Sequence, residues 1–198
     1  MARDLNLLHP EARKKAQALI EAAKKKGIDI IVTQTLRTKA EQEGLYAQGR
    51  SKPGKIVTNC RYPQSLHCWG VAFDICVIKN GKADWQDIAA YNTVGALGQA
   101  LGLVWGGTWK NFVDRPHFEL PGYSWSALLR KYGAPEKFMA TWPKEEEDVK
   151  DTKVRYKGKA YEAFIREGKT FVELRKFAQD CGKKLFYDNK TKTTEVED

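Results

Sequence analysis

The 198-residue sequence contains no run of eighteen apolar residues, so no membrane-spanning helix is expected and no membrane insertion. Its start, MARDLNLLHPEARKKAQALIEAAKKKG, is an amphipathic charged stretch rather than a basic end followed by an apolar core, which argues against a secretory signal. Synthesis in the host cytoplasm without a signal peptide is the expectation. The four cysteines, Cys60, Cys68, Cys76 and Cys181, include no CxxC pair, which argues against a structural zinc knuckle. Cys60 and Cys68 are close enough in sequence for a disulfide, but without an export signal reduced, partly buried thiols are expected. Histidine is scarcer still: there are three, and none follows His117.

Positive charge is plentiful and uneven. The formal charge is +9; the chain through Lys144 carries 21 Lys+Arg against 12 Asp+Glu, whereas Glu145 to Asp198 has 13 of each. A basic body is drawn to polyanions, and charge alone does not separate nucleic acid, anionic lipid and anionic cell-wall polymers. No nucleic-acid-binding motif accompanies the charge, so nucleic acid is not expected as a partner, and a single cluster such as Lys24-Lys25-Lys26 reads as solvated surface.

With 42% apolar residues the chain can bury one core and add a small second module. The pattern predicts a helix from His9-Pro10 to about Lys26, a β-branched strand over 28–37, and a helix over 38–50 with Thr38 as N-cap and Glu41 completing a capping box. A loop over 51–64 leads into a strand reaching about Ile78, then a turn at KNGK and a helix from Trp85 to Leu101. A short strand, a Gly/Trp-rich loop, a strand at His117–Leu120 and a helix from Ser124 to Lys131 complete the body. The nearly all-polar segment 143–153 reads as a linker between a domain over 1–142 and a ββαββ module over 154–198. In that module the helix is expected from Thr170 to Cys181, with strands around the Lys157-Gly158 turn and around DNKTK.

In 65-SLHCWGVAFDI-75, His67 and Asp74 are seven apart, so a regular strand would point them to opposite faces. They can share a ligand if Gly70 marks a bulge, or if the strand starts there and His67 belongs to the preceding loop. Asp74 among small and apolar neighbours needs a strong partner: an arginine, a lysine or a metal ion. The second candidate segment, 114-DRPH-117, carries His117 and, three residues upstream, Asp114. Singly, each residue has an ordinary role, with His67 a satisfied core histidine, Asp114 a loop cap and Arg37 a surface ion-pair member. Together, two histidines and an aspartate suit zinc and leave a fourth position open for water. A carboxylate that does not bind the metal can then move the water's proton, and Asp114 is the candidate, with Glu119 its rival.

The motif Ser65-x-His67-x-x-Gly70-x-Ala72-x-Asp74, followed by Asp114-x-x-His117, resembles the signature of the LAS metallopeptidases. LRTKAEQEGLYAQGR and VDRPHFEL are most similar to the L-alanyl-D-glutamate peptidase branch, which includes phage endolysins; the resemblance runs from about Leu5 to Leu129. It implies an α+β fold with helices against a small antiparallel sheet, and Zn2+ held by His67, Asp74 and His117. It further implies Asp114 as general base and acid, Arg37 polarising the scissile carbonyl, and Ser65 orienting the site. Trp105 and Trp109 are expected to line a wall of the cleft, or else to serve as core and turn. Cys68, directly after His67, departs from the pattern and could compete for metal.

The tail, YKGKAYEAFIREGKTFVELRKFAQDCGKKLFYDNKTKTTEV, is similar to the small wall-associated modules named after the copper amine oxidase N-terminal domain. Glu173 and Tyr187 stand where that family usually has Pro and Trp, and the absence of histidine argues against copper. The module's expected role is wall binding or self-association. The whole implies a zinc endopeptidase acting on bacterial peptidoglycan at the L-alanyl-D-glutamate bond, as a phage-type endolysin. The alternatives are a D,D-carboxypeptidase acting on terminal D-alanine and a non-catalytic zinc-bearing wall-binding protein.

Overall fold

Helix α1 (Pro10–Lys25) begins where Pro10, which has no N–H to satisfy, follows His9, whose Nδ1 caps the helix by accepting from the Glu11 N–H at 3.2 Å. Ala12, Ala16, Leu19 and Ala23 recur at helical spacing and are all buried. The computed structural model describes residues 3–143, 150–156, 159–166, 169–172, 174–182, 184–188 and 193–197. Contacts divide the chain into two units, Met1–Pro143 and Lys144–Asp198.

The first unit is built on a five-stranded antiparallel sheet. Its strands are β1 (Asp29–Gln34), β2 (Ala72–Lys79), β3 (Lys82–Asp84), β4 (Val104–Trp105) and β5 (His117–Glu119), in the order β1-β2-β5-β4 with β3 hairpinned onto β2. Val71, Phe73, Ile75 and Val77 alternate on the core face of β2 and its lead-in, and Phe73 stacks on Phe118 of β5 at 5.7 Å between ring centroids. Helix α1 packs on β1 and on α3 (Ile88–Ala100), which contributes the buried Tyr91 and Val94.

Helix α2 (Lys39–Ala47) carries the predicted capping box: Thr38 Oγ1 accepts from the Glu41 N–H, and the Glu41 carboxylate accepts from the Thr38 N–H at 2.9 Å. Strand β1 stops at Gln34, three residues earlier than the pattern suggests, so Arg37 lies on the segment between β1 and α2. Helix α3 starts at Ile88 rather than Trp85, because Lys82–Asp84 pair with Val77–Lys79 and Asp87 caps the helix through the Ala90 N–H. Helix α4 (Trp125–Tyr132) is followed by α5 (Pro135–Met139), a short helix outside the expected set; its Phe138 is buried edge-on against Trp69.

The question raised by His67 and Asp74 is resolved by a break. Leu66–Trp69 form one 3-10 turn, Gly70 takes a left-handed φ of 66° that side chains disfavour, and β2 begins only at Ala72. The bulge lies on the partner strand instead. Val32 pairs with Ile75 but Gln34 pairs with Asp74, so Thr33 is the extra residue, and its hydroxyl donates to the Asp74 carbonyl at 3.3 Å. In an unbroken ladder Thr33 would oppose Asp74 and Gln34 would turn to the core face.

In the second unit, β6 (Lys150–Tyr156), β7 (Lys159–Arg166) and β8 (Lys169–Val172) form one antiparallel sheet, α6 (Leu174–Asp180) follows, and β9 (Lys184–Asp188) pairs with β10 (Thr193–Glu197). This corrects the ββαββ expectation in two places. β6 starts inside the segment expected as linker, because backbone pairing with β7 proceeds irrespective of side-chain charge. Residues 170–172, the expected start of the helix, belong instead to a third strand, β8, in keeping with the β preference of Thr170, Phe171 and Val172. The core of the expected linker (144–149), the Lys157-Gly158 turn, Glu173 and the turn residues 189–192 lie outside the described residues.

Candidate metal centre

His67 reaches the site from the 3-10 turn, Asp74 from β2 and His117 from β5, where it pairs directly with Asp74. His67 Nε2 lies 3.2 Å from Asp74 Oδ1 and 3.2 Å from His117 Nδ1, and His117 Nδ1 lies 3.1 Å from Asp74 Oδ1. A tetrahedral zinc with ligand bonds near 2.0 Å has ligand–ligand edges of about 3.3 Å, so the three atoms form one face of such a site. These three residues form the metal-competent group among the described residues.

Each histidine has its far nitrogen occupied, which decides which one faces the centre. His67 Nδ1 donates to the Thr35 carbonyl at 2.9 Å, and His117 Nε2 donates to Glu119 Oε2 at 2.9 Å. Their inward nitrogens are thereby the lone-pair donors a metal needs. Burial opposes ionisation of Asp74, but the charges of His67 and His117 and their hydrogen bonds hold its carboxyl well below the usual range. Burial likewise pulls His117 down, but hydrogen bonds to Asp74 and Glu119 prevail and lift it to about 9. Metal uptake near neutral pH therefore displaces a proton.

Arg37 is buried beside this group, its Nη2 3.8 Å from Asp74 Oδ2. Two glutamines clamp it: Gln42 Oε1 accepts from Nη1 at 2.9 Å and Gln34 Oε1 accepts from Nη2 at 3.1 Å. Gln34 reaches the guanidinium because the bulge at Thr33 turns it to the site face. Gln42 is fully buried and donates through Nε2 to the Cys60 carbonyl at 2.5 Å. The Arg37 N–H donates to the His67 carbonyl at 3.1 Å, so the arginine and the histidine turn are joined by backbone.

Asp114 faces the same cleft of about 620 Å3. Burial pushes its carboxyl upward, with the Asp74 charge adding to the rise and His117 opposing it. Its N–H donates to the Gly106 carbonyl at 3.0 Å, and a Cβ at Gly106 would overlap the Asp114 carbonyl, so only glycine allows this approach. Ser65 lines the cleft from the lead-in to the 3-10 turn, and Trp109 lines it with its ring 5.1 Å from that of His117.

Of the two roles expected for Trp105, cleft wall or core, its burial fits the core: it is 7% exposed, packs on α3 at Gly95, and its indole N–H donates to the Arg115 carbonyl at 2.8 Å, tying β4 to the loop before His117. Two expectations change. Glu119, the rival base, is occupied in orienting His117. Cys68 does not compete for metal: its thiol points to Gln42 Oε1 at 3.8 Å and burial pushes it up to about 11. Gln34, Gln42, Thr35 and Gly106 carry no sequence signal of their own.

A donor triad, a clamped guanidinium and a separate carboxylate around one cleft suit metal-dependent hydrolysis. The family model described as D-alanyl-D-alanine carboxypeptidase matches residues 58–120, a span holding His67, Asp74, Asp114 and His117. Peptidoglycan L-alanyl-D-glutamate endopeptidase CwlK of Bacillus subtilis is 39% identical over 128 residues, covering 57% of this chain and 73% of that protein. The L-alanyl-D-glutamate peptidase of a Listeria phage is 30% identical over 127 residues, 61% of this chain and 41% of that protein. The crystal structure of Serratia marcescens L-Ala D-Glu endopeptidase ChiX has 22% identity and a TM-score of 0.48, covering 67% of this chain and 92% of that one. On the Bacillus relative, the chain belongs to the M15 family of metallopeptidases.

Proposed function

We propose that the protein is a zinc-dependent peptidoglycan endopeptidase that hydrolyses the L-alanyl-D-glutamate bond of the stem peptide. The observation that carries the chemistry is the meeting of three ligand atoms at 3.1–3.2 Å in a cleft that also holds Arg37 and Asp114. The bond assigned rests on the likeness to the Bacillus and phage relatives. The donor set fits zinc: two neutral imidazole nitrogens and one carboxylate oxygen, with room for a fourth ligand.

His67, Asp74 and His117 would hold zinc, which would supply Lewis acidity that makes water nucleophilic near neutral pH. Asp114 takes the proton of the attacking water and delivers it to the leaving amine; its raised pKa brings the carboxyl nearer the pH at which both transfers are easy. Arg37 stabilises the negative charge that develops on the carbonyl oxygen. Among the described residues its Nε has no hydrogen-bond partner, and the two glutamines hold its plane in place before substrate arrives. Ser65 and Trp109 orient the substrate.

The family model's description favours a second reading, a D,D-carboxypeptidase acting on terminal D-alanine. Mass spectrometry of products from defined muropeptides, after chelation and zinc re-addition, separates them: the first yields a new D-glutamate amino terminus, the second only free D-alanine. Asp114→Asn is expected to lower kcat by about 10²–10⁴-fold while zinc content stays at the parent level. Equal turnover by that variant would remove the general-base assignment. The phage relative supports an endolysin role, with the basic first unit aiding approach to an anionic wall and the second unit binding wall or a second copy. Among the described residues no helix is long and apolar enough to cross a membrane.

A further inference from the structure

We propose that Phe112 and Trp125, at the mouth of the cleft, form a subsite for the N-acetylmuramyl sugar that carries the stem peptide. This rests on the endopeptidase reading above. Both rings line the cleft yet stay open to solvent, Phe112 60% and Trp125 36% exposed, and Ile56 and Val57 line it at 55% and 48% exposure. Four exposed apolar side chains gathered on one cleft are a surface awaiting cover.

The charge pattern selects the occupant. Among the described residues lining the cleft, none carries a formal charge apart from Arg37, the metal-competent triad, Asp114 and Glu119. A peptide arm bearing the carboxylates of D-glutamate and of a diamino acid would call for cations, and the one arginine present is already held by two glutamines. A pyranose calls for apolar faces beside neutral hydrogen-bonding groups, which Thr58 and Asn59 provide on the same cleft. Arg50 pins their loop in advance, its Nη1 donating to the Thr58 carbonyl at 3.0 Å and its Nη2 to Asn59 Oδ1 at 2.9 Å, leaving the Asn59 amide hydrogens for a ligand. In peptidoglycan the stem's L-alanine is joined to muramic acid through its lactyl group, so the sugar follows the alanine on the acyl side of the scissile bond.

The test uses the full-length, zinc-loaded protein and two substrates: an N-acetylmuramyl tripeptide, and the same L-Ala-D-Glu-diamino acid peptide with an acetyl group in place of the sugar. The expected result is a KM about tenfold lower for the muramyl substrate at similar kcat, as uniform binding of a remote group requires. In a Phe112→Ala/Trp125→Ala double variant with parental zinc content this preference collapses towards one, and in Phe112→Tyr, which keeps an aromatic face, it persists. Equal KM values in the parent, or a preference retained by the double variant, overturn the sugar subsite while leaving the endopeptidase reading intact. Cleavage of neither substrate between alanine and glutamate overturns both.

Discussion

Replacing Glu119 discriminates between two ways in which this centre could work. The Glu119 carboxylate accepts from His117 Nε2 at 2.9 Å, and its side chain is 19% exposed, so solvent compensates only in part for its loss. Without it the ring can rotate or change tautomer, and Nδ1 is no longer fixed towards Asp74 and His67. Partners of this kind are worth about 10–100-fold in metal affinity, or about 1.4–2.7 kcal/mol. Glu119→Ala is expected in that range, and Glu119→Gln, which keeps an oxygen acceptor without the charge, below it. The measurement is a zinc titration against a competing chelator, paired with kcat at saturating zinc, which is expected to stay within a few-fold of the parent. If instead Glu119→Ala holds zinc as the parent does and kcat collapses, Glu119 moves the proton itself and Asp114 has been given the wrong task.

Gln42→Ala removes a bond to a guanidinium and strands the Cys60 carbonyl. Hydrogen bonds to charged groups and buried unsatisfied acceptors point to a loss of about 2–4 kcal/mol in denaturant unfolding. In the same variant kcat falls more than KM rises, because Arg37 acts mainly on the charge developed in the transition state; an unchanged kcat would mean that the clamp serves the fold alone. In the metal-free protein, the folded-state pKa of His117, about 9, exceeds the ordinary value of 6.5. Its stabilising contribution is thus fully present below about pH 6.5 and is lost as pH rises through about 9. Thermal unfolding after chelation is expected to show this decline and His117→Gln to lack it, whereas zinc affinity rises over the same interval.

What the sequence disclosed was what short-range pattern encodes. The capping box at Thr38 and Glu41, the alanine-lined face of α1 and the irregularity demanded at Gly70 follow from spacing and backbone preference within a few residues. The paired segments around His67 and His117 were legible because histidine is rare here and carboxylates accompany it. The rest depends on tertiary packing. Trp105 reads equally as a cleft aromatic or a core residue until Gly95 is seen to admit it to the core, and nothing local marks Gln42 as fully buried. The bulge at Thr33 arises from pairing with β2, so β1 alone gave no hint that Gln34 would face the arginine. In the tail, backbone pairing drew charged residues 150–153 into a strand that composition assigned to a linker.

The backbone tie between Arg37 and the histidine turn bears on how this centre tolerates error. The His67 ring is held by the Thr35 carbonyl, and the Arg37 N–H by the His67 carbonyl, so both groups take their position from the end of β1. A displacement of that end is a common-mode error: the His67 ligand and the guanidinium move together, and the separation between them is conserved. Asp114 takes its position from Gly106, on the turn after β4, and from His117, whose N–H donates to the Asp114 carbonyl at 3.2 Å. Disturbance in the β4–β5 loop therefore moves the proton carrier together with one metal ligand, and sequence drift there should appear as a joint loss of zinc affinity and of proton transfer.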